Sequence, residues 1–180
     1  LIADRESGPA VAAAIGRCPE FDLAALAGER PGAAPEDIAR QSLALPLWYD
    51  DPRTLIIQGG VQAVIIVTST RAAVELGEVA ATLGKHVWRP PPLGRQFVEA
   101  TQVVERRRER PSLYRIGSGW EQVAARVAPT IDSAGEFKPR LAELDGRAVG
   151  PSLSSWRCLL GEAGGGVLLQ DGYRMIEALV

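Results

Sequence analysis

Short apolar runs alternate with small-residue or amphipathic stretches from the first residue to about residue 116. Leu1-Ile2 reads as the end of a strand, and Gly8-Pro9 opens a helix reaching about Arg17. Proline in a first helical turn loses no hydrogen bond, because the N–H groups there have no intrahelical partner. Leu23 to Ala27 predicts a second strand, and Pro35 to Ala44 a helix whose first turn is acidic, as the helix dipole favours. Leu47 to Tyr49 predicts a short strand, and Asp51 to Gln58 a short helix. Val61 to Val67 is almost wholly apolar and rich in valine and isoleucine, the pattern of a parallel strand buried on both faces. A helix over Arg71 to Leu83, a strand over Lys85 to Trp88, a long helix over Gly94 to Arg110 and a strand over Leu113 to Ile116 complete the alternation. The pattern predicts an α/β fold with a Rossmann-type, doubly wound parallel sheet and Ala63 to Val67 near its centre. Right-handed crossovers then fix most of the topology.

Composition narrows the picture without changing it. The 180 residues suit one domain, or one and part of another. A net charge of −2 is no nucleic-acid footprint, and no apolar run is long enough to span a bilayer. The first residues lack a signal-peptide layout, so a cytoplasmic location is expected. Cys18 and Cys158 offer neither a disulfide framework nor metal spacing and are expected as buried thiols in a reducing compartment. Glu105 to Arg110 is a charge run expected to be a solvated helix end. The chain opens without methionine and closes on the apolar run 175–180, so further residues are expected at both ends.

The segment 61–94 carries the candidate chemistry. It runs strand, Thr68-Ser69-Thr70, helix, Gly84-Lys85-His86-Val87, Trp88-Arg89, Pro90-Pro91-Pro92. It resembles the Gfo/Idh/MocA family, named for glucose–fructose oxidoreductase and inositol dehydrogenase. There a strand leads to T-P-T, a helix, G-K-H-V, two free positions and E-K-P. The family's catalytic lysine falls on Pro91, which has no amine and no charge. Thr68 and Thr70 match the nicotinamide-side motif, with Ser69 in place of its proline. The histidine often found three residues on is Ala73. By the same resemblance, His86 is structural.

A second stretch, Gly164 to Glu177, resembles the family's G-G-G-x-L-x-D-x-G-x-H-x-x-D. The family's aspartate falls on Gln170 and its histidine on Arg174. Glutamine does not titrate and arginine stays protonated, so neither is a general base at pH 7. The resemblance covers most of 1–116 and 160–180, and 117–159 match poorly. It implies a dinucleotide-binding domain over 1–116 and part of an α+β second domain over 117–180. That second domain is where the family forms oligomers.

The cofactor loop departs from its pattern too. A dinucleotide fingerprint needs G-x-G-x-x-G between the first strand and first helix. With Gly8 as the third glycine, the first two positions hold Ala3 and Arg5. Gly8 keeps the close packing of helix on strand. Arg5 puts a long side chain where a pyrophosphate would lie. The acidic residue that bonds the ribose hydroxyls aligns near Gly28, with Glu29 one position off. The candidate cofactor contacts are therefore Arg5, Gly8, Glu29, Thr68, Ser69, Thr70 and Arg89, for NAD or NADP held weakly or not at all, and no metal site is expected. The leading expectation is a degenerate oxidoreductase-like protein acting in binding, regulation or assembly. It would be a homo-oligomer or bind a partner protein through the second domain, and it would take at most a small molecule. The alternative is an active NAD(P)-dependent oxidoreductase on a sugar, polyol or related substrate. Its relocated groups would be Tyr173 as acid and Arg89 or Arg174 as electrostatic stabiliser.

Overall fold

A computed structural model describes residues 1–28, 46–108, 112–117, 155–165 and 169. The strands are β1 (Ile2–Ala3), β2 (Ala25–Gly28), β3 (Leu47–Tyr49), β4 (Ala63–Val67), β5 (His86–Arg89) and β6 (Tyr114–Ile116). The helices are α1 (Gly8–Gly16), α2 (Pro52–Gln58), α3 (Thr70–Thr82), α4 (Phe97–Arg107) and the single turn α5 (Leu160–Ala163), which follows a 3₁₀ turn over Trp156–Cys158. The helix expected over Pro35 to Ala44 lies outside the described residues, as do 170–180 and most of the expected second domain.

The six strands form one sheet in the order β3-β2-β1-β4-β5-β6, and every pairing is parallel. This is the doubly wound Rossmann order. Ile2 stands between Ala27 on one side and Ile66 on the other, so the strand order reverses between β1 and β4. Crevices at such a reversal, beyond the carboxyl ends of the strands, are where these sheets take ligands.

The two faces of the sheet are buried unequally. Val64 and Ile66 are fully buried on the face covered by α2 and α3, against Leu55, Ile56, Leu76 and Ala80. Ile65 and Val67 point to the other face and are only half-buried there, beside Ala12, Leu23 and Leu26. The expected two-sided burial therefore holds on one face only. Burying each such aliphatic side chain stabilises the fold by about 1.5–3 kcal/mol. The small residues of α1 allow close approach: a Cβ on Gly8 would touch the Ala3 Cβ at 3.4 Å.

Local chemistry sets the helix starts. Asp51 caps α2, its carboxylate accepting from the Arg53 N–H at 3.0 Å and the Thr54 N–H at 3.2 Å. Ser69 caps α3 through the Ala72 N–H at 3.3 Å. The helix expected over Gly94 to Arg110 begins only at Phe97, where Glu99 reaches back to the Arg95 N–H at 2.6 Å.

Two further expectations are corrected. Cys18 and Cys158 are both exposed: one follows the end of α1, the other lies in the surface 3₁₀ turn. The charge run is not wholly solvated either. The Arg107 side chain is 11% exposed, lies 2.6 Å from the Glu78 carboxylate and covers the Tyr114 ring. The apolar ring shelters the guanidinium while the carboxylate neutralises it, which the sequence run alone did not reveal. His86 has a structural task, its Nδ1 accepting the Leu113 N–H at 3.0 Å and so tying β5 to the chain entering β6.

Candidate functional site

A cavity of about 200 Å³ opens at the β1/β4 reversal. Asp4 from the end of β1, Thr68 and Thr70 from the end of β4, Arg89 and Pro91 from the end of β5, and Trp156 from the later segment contribute to its wall. The strands β1, β4 and β5 thus bring their carboxyl ends to one place, as the parallel topology dictates.

Pro91, at the position matching the family's lysine, stands on this wall. Arg89 is 1% exposed, and its Nη2 donates to the Pro92 carbonyl at 2.6 Å, holding the proline run against β5. Thr68 and Thr70 line the cavity. Ser69 is buried beside them. Its Oγ donates to Glu162 Oε2 at 2.7 Å, so this serine ties the start of α3 to the segment 155–165.

The turn between β1 and α1 is held from within. Asp4 Oδ1 accepts the Ser7 N–H at 2.7 Å, and the Asp4 carbonyl accepts the Gly8 N–H at 3.0 Å. Arg5 is exposed and does not reach the cavity wall. Gly28 has φ +125°, and a Cβ there would overlap the Ala3 carbonyl oxygen. The position aligning with the ribose-binding acid is thus one that favours glycine. Glu29, Gln170, Tyr173 and Arg174 lie outside the described residues.

The segment 155–165 crosses the carboxyl ends of the strands as a strap. Trp156 Nε1 donates to Asp4 Oδ2 at 3.0 Å, and Arg157 pairs with Glu6 at 2.8 Å while stacking on its neighbouring indole. Glu162 accepts from Ser69 and lies 3.4 Å from Arg71, and Arg95 donates to the Gly161 carbonyl at 2.8 Å. Gly164 lets the strap turn with φ +86°, where a Cβ would run into the Arg95 backbone. That contact explains one glycine of the G-G-G run.

Sequence reasoning passed over Asp4, Glu6, Trp156, Arg157 and Glu162. The available signal was the pair of acids at unassigned positions of the glycine pattern. Their partners come from about 150 residues along the chain, which no local pattern reveals. Among the described residues, no group of histidine, cysteine or carboxylate side chains could hold a metal ion.

No family model matches this chain, and no curated protein sequence does. Solved structures match its fold. An oxidoreductase from Thermotoga maritima superposes with a TM-score of 0.75 at 18% identity, over 99% of this chain and 58% of its own. Levoglucosan dehydrogenase, solved with NADH and levoglucosan, gives 0.69 at 20% identity, over 98% of this chain and 52% of its own. Biliverdin reductase from Synechocystis, solved with biliverdin and NADP+, gives 0.68 at 20% identity, over 94% and 53%. These neighbours are oxidoreductases of the Gfo/Idh/MocA type, and the chain shares the Rossmann-like fold of their N-terminal domain. The chain spans about half the length of the solved structures it matches. Among the described residues, no helix is long and apolar enough to cross a membrane.

Proposed function

We propose that this chain is a degenerate NAD(P)-dependent oxidoreductase-like protein, one that keeps the scaffold, lacks dehydrogenase activity and serves as a binding, regulatory or assembly protein. The observation that carries the reading is Pro91 on the cavity wall at the lysine's position. Proline can neither deliver a proton nor polarise a carbonyl. One positioned proton-transfer group contributes about a hundred- to ten-thousandfold in rate. Gln170 and Arg174 at the other two catalytic positions remove the same kind of help.

The residues of the β1–α1 turn do not fit a pyrophosphate. Anion binding at a helix start needs free N–H groups and no competing negative charge. Here the Ser7 and Gly8 N–H groups are taken by Asp4, and Asp4 and Glu6 bring two carboxylates to the turn. Cofactor binding is accordingly weakened or lost. Self-assembly, or a protein partner at the C-terminal part, belongs to the same reading, as does a cytoplasmic location.

One observation favours the second reading, an active oxidoreductase with relocated groups: Arg89 lines the cavity and brings a permanent cation to it. Calorimetric titration with NADH and NADPH, followed by a screen of sugars, polyols and their keto forms, separates the two. The proposal expects no turnover above background. A steady-state rate abolished by Tyr173→Phe would replace it with the second reading.

A further inference from the structure

Arg89 is the largest fully buried side chain among the described residues, and its burial is electrostatically incomplete. Its guanidinium donates to two backbone carbonyls, Pro92 at 2.6 Å and Leu93 at 3.4 Å. Its Nε has no partner among the described residues. None of the ion pairs among those residues includes it. Glu99 feels its charge, but both Glu99 oxygens are already engaged by Arg95. A buried charge without a counter-ion is costly, and proteins that retain one generally pair it.

The cavity supplies a place for the missing anion. Arg89 and Arg157 line it, but Arg157 is already paired with Glu6, and the one carboxylate on the wall, Asp4, is occupied by the Ser7 N–H and the Trp156 indole. Thr70 also lines it, 2% exposed, with an Oγ1 that has no partner among the described residues. The remaining wall mixes apolar side chains, Ile66, Val67, Ala73 and the prolines, with Ser7, Thr68 and the Trp156 indole. Ligand pockets for drug-sized molecules run to about 300–1,000 Å³. A cavity of about 200 Å³ suits something smaller.

We infer that this cavity binds a small organic anion, a carboxylate of a few carbon atoms, with Arg89 as its buried counter-charge. The inference rests on reading the cleft as a binding site. The planar guanidinium matches a carboxylate, and Ile66, Val67, Ala73 and the prolines give a short carbon chain apolar surface to lie on, which a strongly hydrated inorganic anion would not use. Thr70 Oγ1 is a second buried polar atom at this wall with no partner among the described residues.

The experiment is thermal denaturation and calorimetry on the full chain with acetate, pyruvate, malonate and inorganic phosphate, against sodium chloride at matched ionic strength. At least one carboxylate should raise the wild-type Tm saturably, beyond the chloride control and beyond phosphate. Arg89→Met should lower its affinity by about tenfold or more, the worth of a charged hydrogen-bonding partner. Should Arg89→Met fail to fold, Thr70→Val and Arg157→Gln are each expected to weaken the same ligand by a smaller factor. No carboxylate effect beyond chloride, or equal effects in wild type and variants, overturns the site. Phosphate binding as tightly as every carboxylate overturns the ligand class. The dehydrogenase assay decides the preceding reading on its own.

Discussion

The indole Nε1 of Trp156 donates to Oδ2 of Asp4 at 3.0 Å, across 152 positions of sequence. With the Arg157–Glu6 pair, this bond joins the strap to the turn between β1 and α1. A hydrogen bond to a charged, part-buried acceptor contributes about 1.5–3 kcal/mol. Trp156→Phe keeps the ring and removes the donor. It should destabilise the fold by about 1–2 kcal/mol in denaturant titration, since solvent can replace part of the bond. Hydrogen exchange should also quicken at Glu162 and Ala163, whose amides close the short helix α5. Unchanged exchange there would mean that the strap is held without this bond.

Asp4 should matter more than Arg5 for nucleotide affinity. Arg5 is exposed, whereas the Asp4 carboxylate accepts an N–H at the helix start. Two unit charges 4 Å apart repel by about 1 kcal/mol in water and about 4 kcal/mol at the effective dielectric of a protein surface. Asp4→Asn removes the charge and keeps an acceptor oxygen. It should raise affinity for NADH by about tenfold, while Arg5→Gly should change it little. Calorimetric titration of the two variants checks the order. A larger gain from Arg5→Gly would restore steric blockage as the cause.

Strand positions were legible in the sequence because short apolar or aromatic runs stand between turn residues and helical stretches, most plainly in Ala63–Val67. Leu47–Tyr49 matches to the residue, and the other strands start or end within about two residues of their expected limits. The start of α4 was less legible, because Gly94 and Arg95 read as the beginning of a helical pattern. In fact Arg95 spends its side chain on Glu99 and on the strap. Pro91 lines the cavity because its loop leaves the carboxyl end of β5. Asp4 and Trp156 were not legible, since their pairing depends on how a distant segment crosses the sheet.

Ser69 carries two tasks with one hydroxyl, accepting the Ala72 N–H and donating to Glu162. Ser69→Ala should cost about 1–2 kcal/mol, from a lost helix cap and a lost charged hydrogen bond. In a double-mutant cycle with Glu162→Gln, the two changes should fall short of additivity. Full additivity in denaturant titration would show that the pair does not couple.

Gly28 should tolerate no side chain. Its φ of +125° is a conformation L residues rarely adopt, and a Cβ would overlap the Ala3 carbonyl oxygen. Gly28→Asp would install the acid of many dinucleotide binders at the aligned position. It should instead destabilise the protein by about 2–4 kcal/mol, through strain and forced separation of β1 from β2. A folded Gly28→Asp protein of wild-type Tm would require the strand end to move.

Glu99 predicts an acid-sensitive link between α4 and the strap. Arg95 holds the Glu99 carboxyl below the ordinary glutamate range, first through the side-chain hydrogen bonds between them. A carboxyl with a depressed value in the folded state stabilises the fold in its ionised form. Its contribution is complete above the unfolded value of about 4.3 and disappears as pH falls through the lower folded value. The pair is partly solvated, with side-chain exposures of 32% and 17%, so its worth is at most about 1 kcal/mol. Glu99→Gln should therefore be less stable than wild type near neutral pH. The gap should close as the pH drops below the ordinary glutamate range. Denaturant titrations of both proteins across that range check it. A gap that persists at low pH would assign the loss to packing around Arg95 rather than to the charge on Glu99.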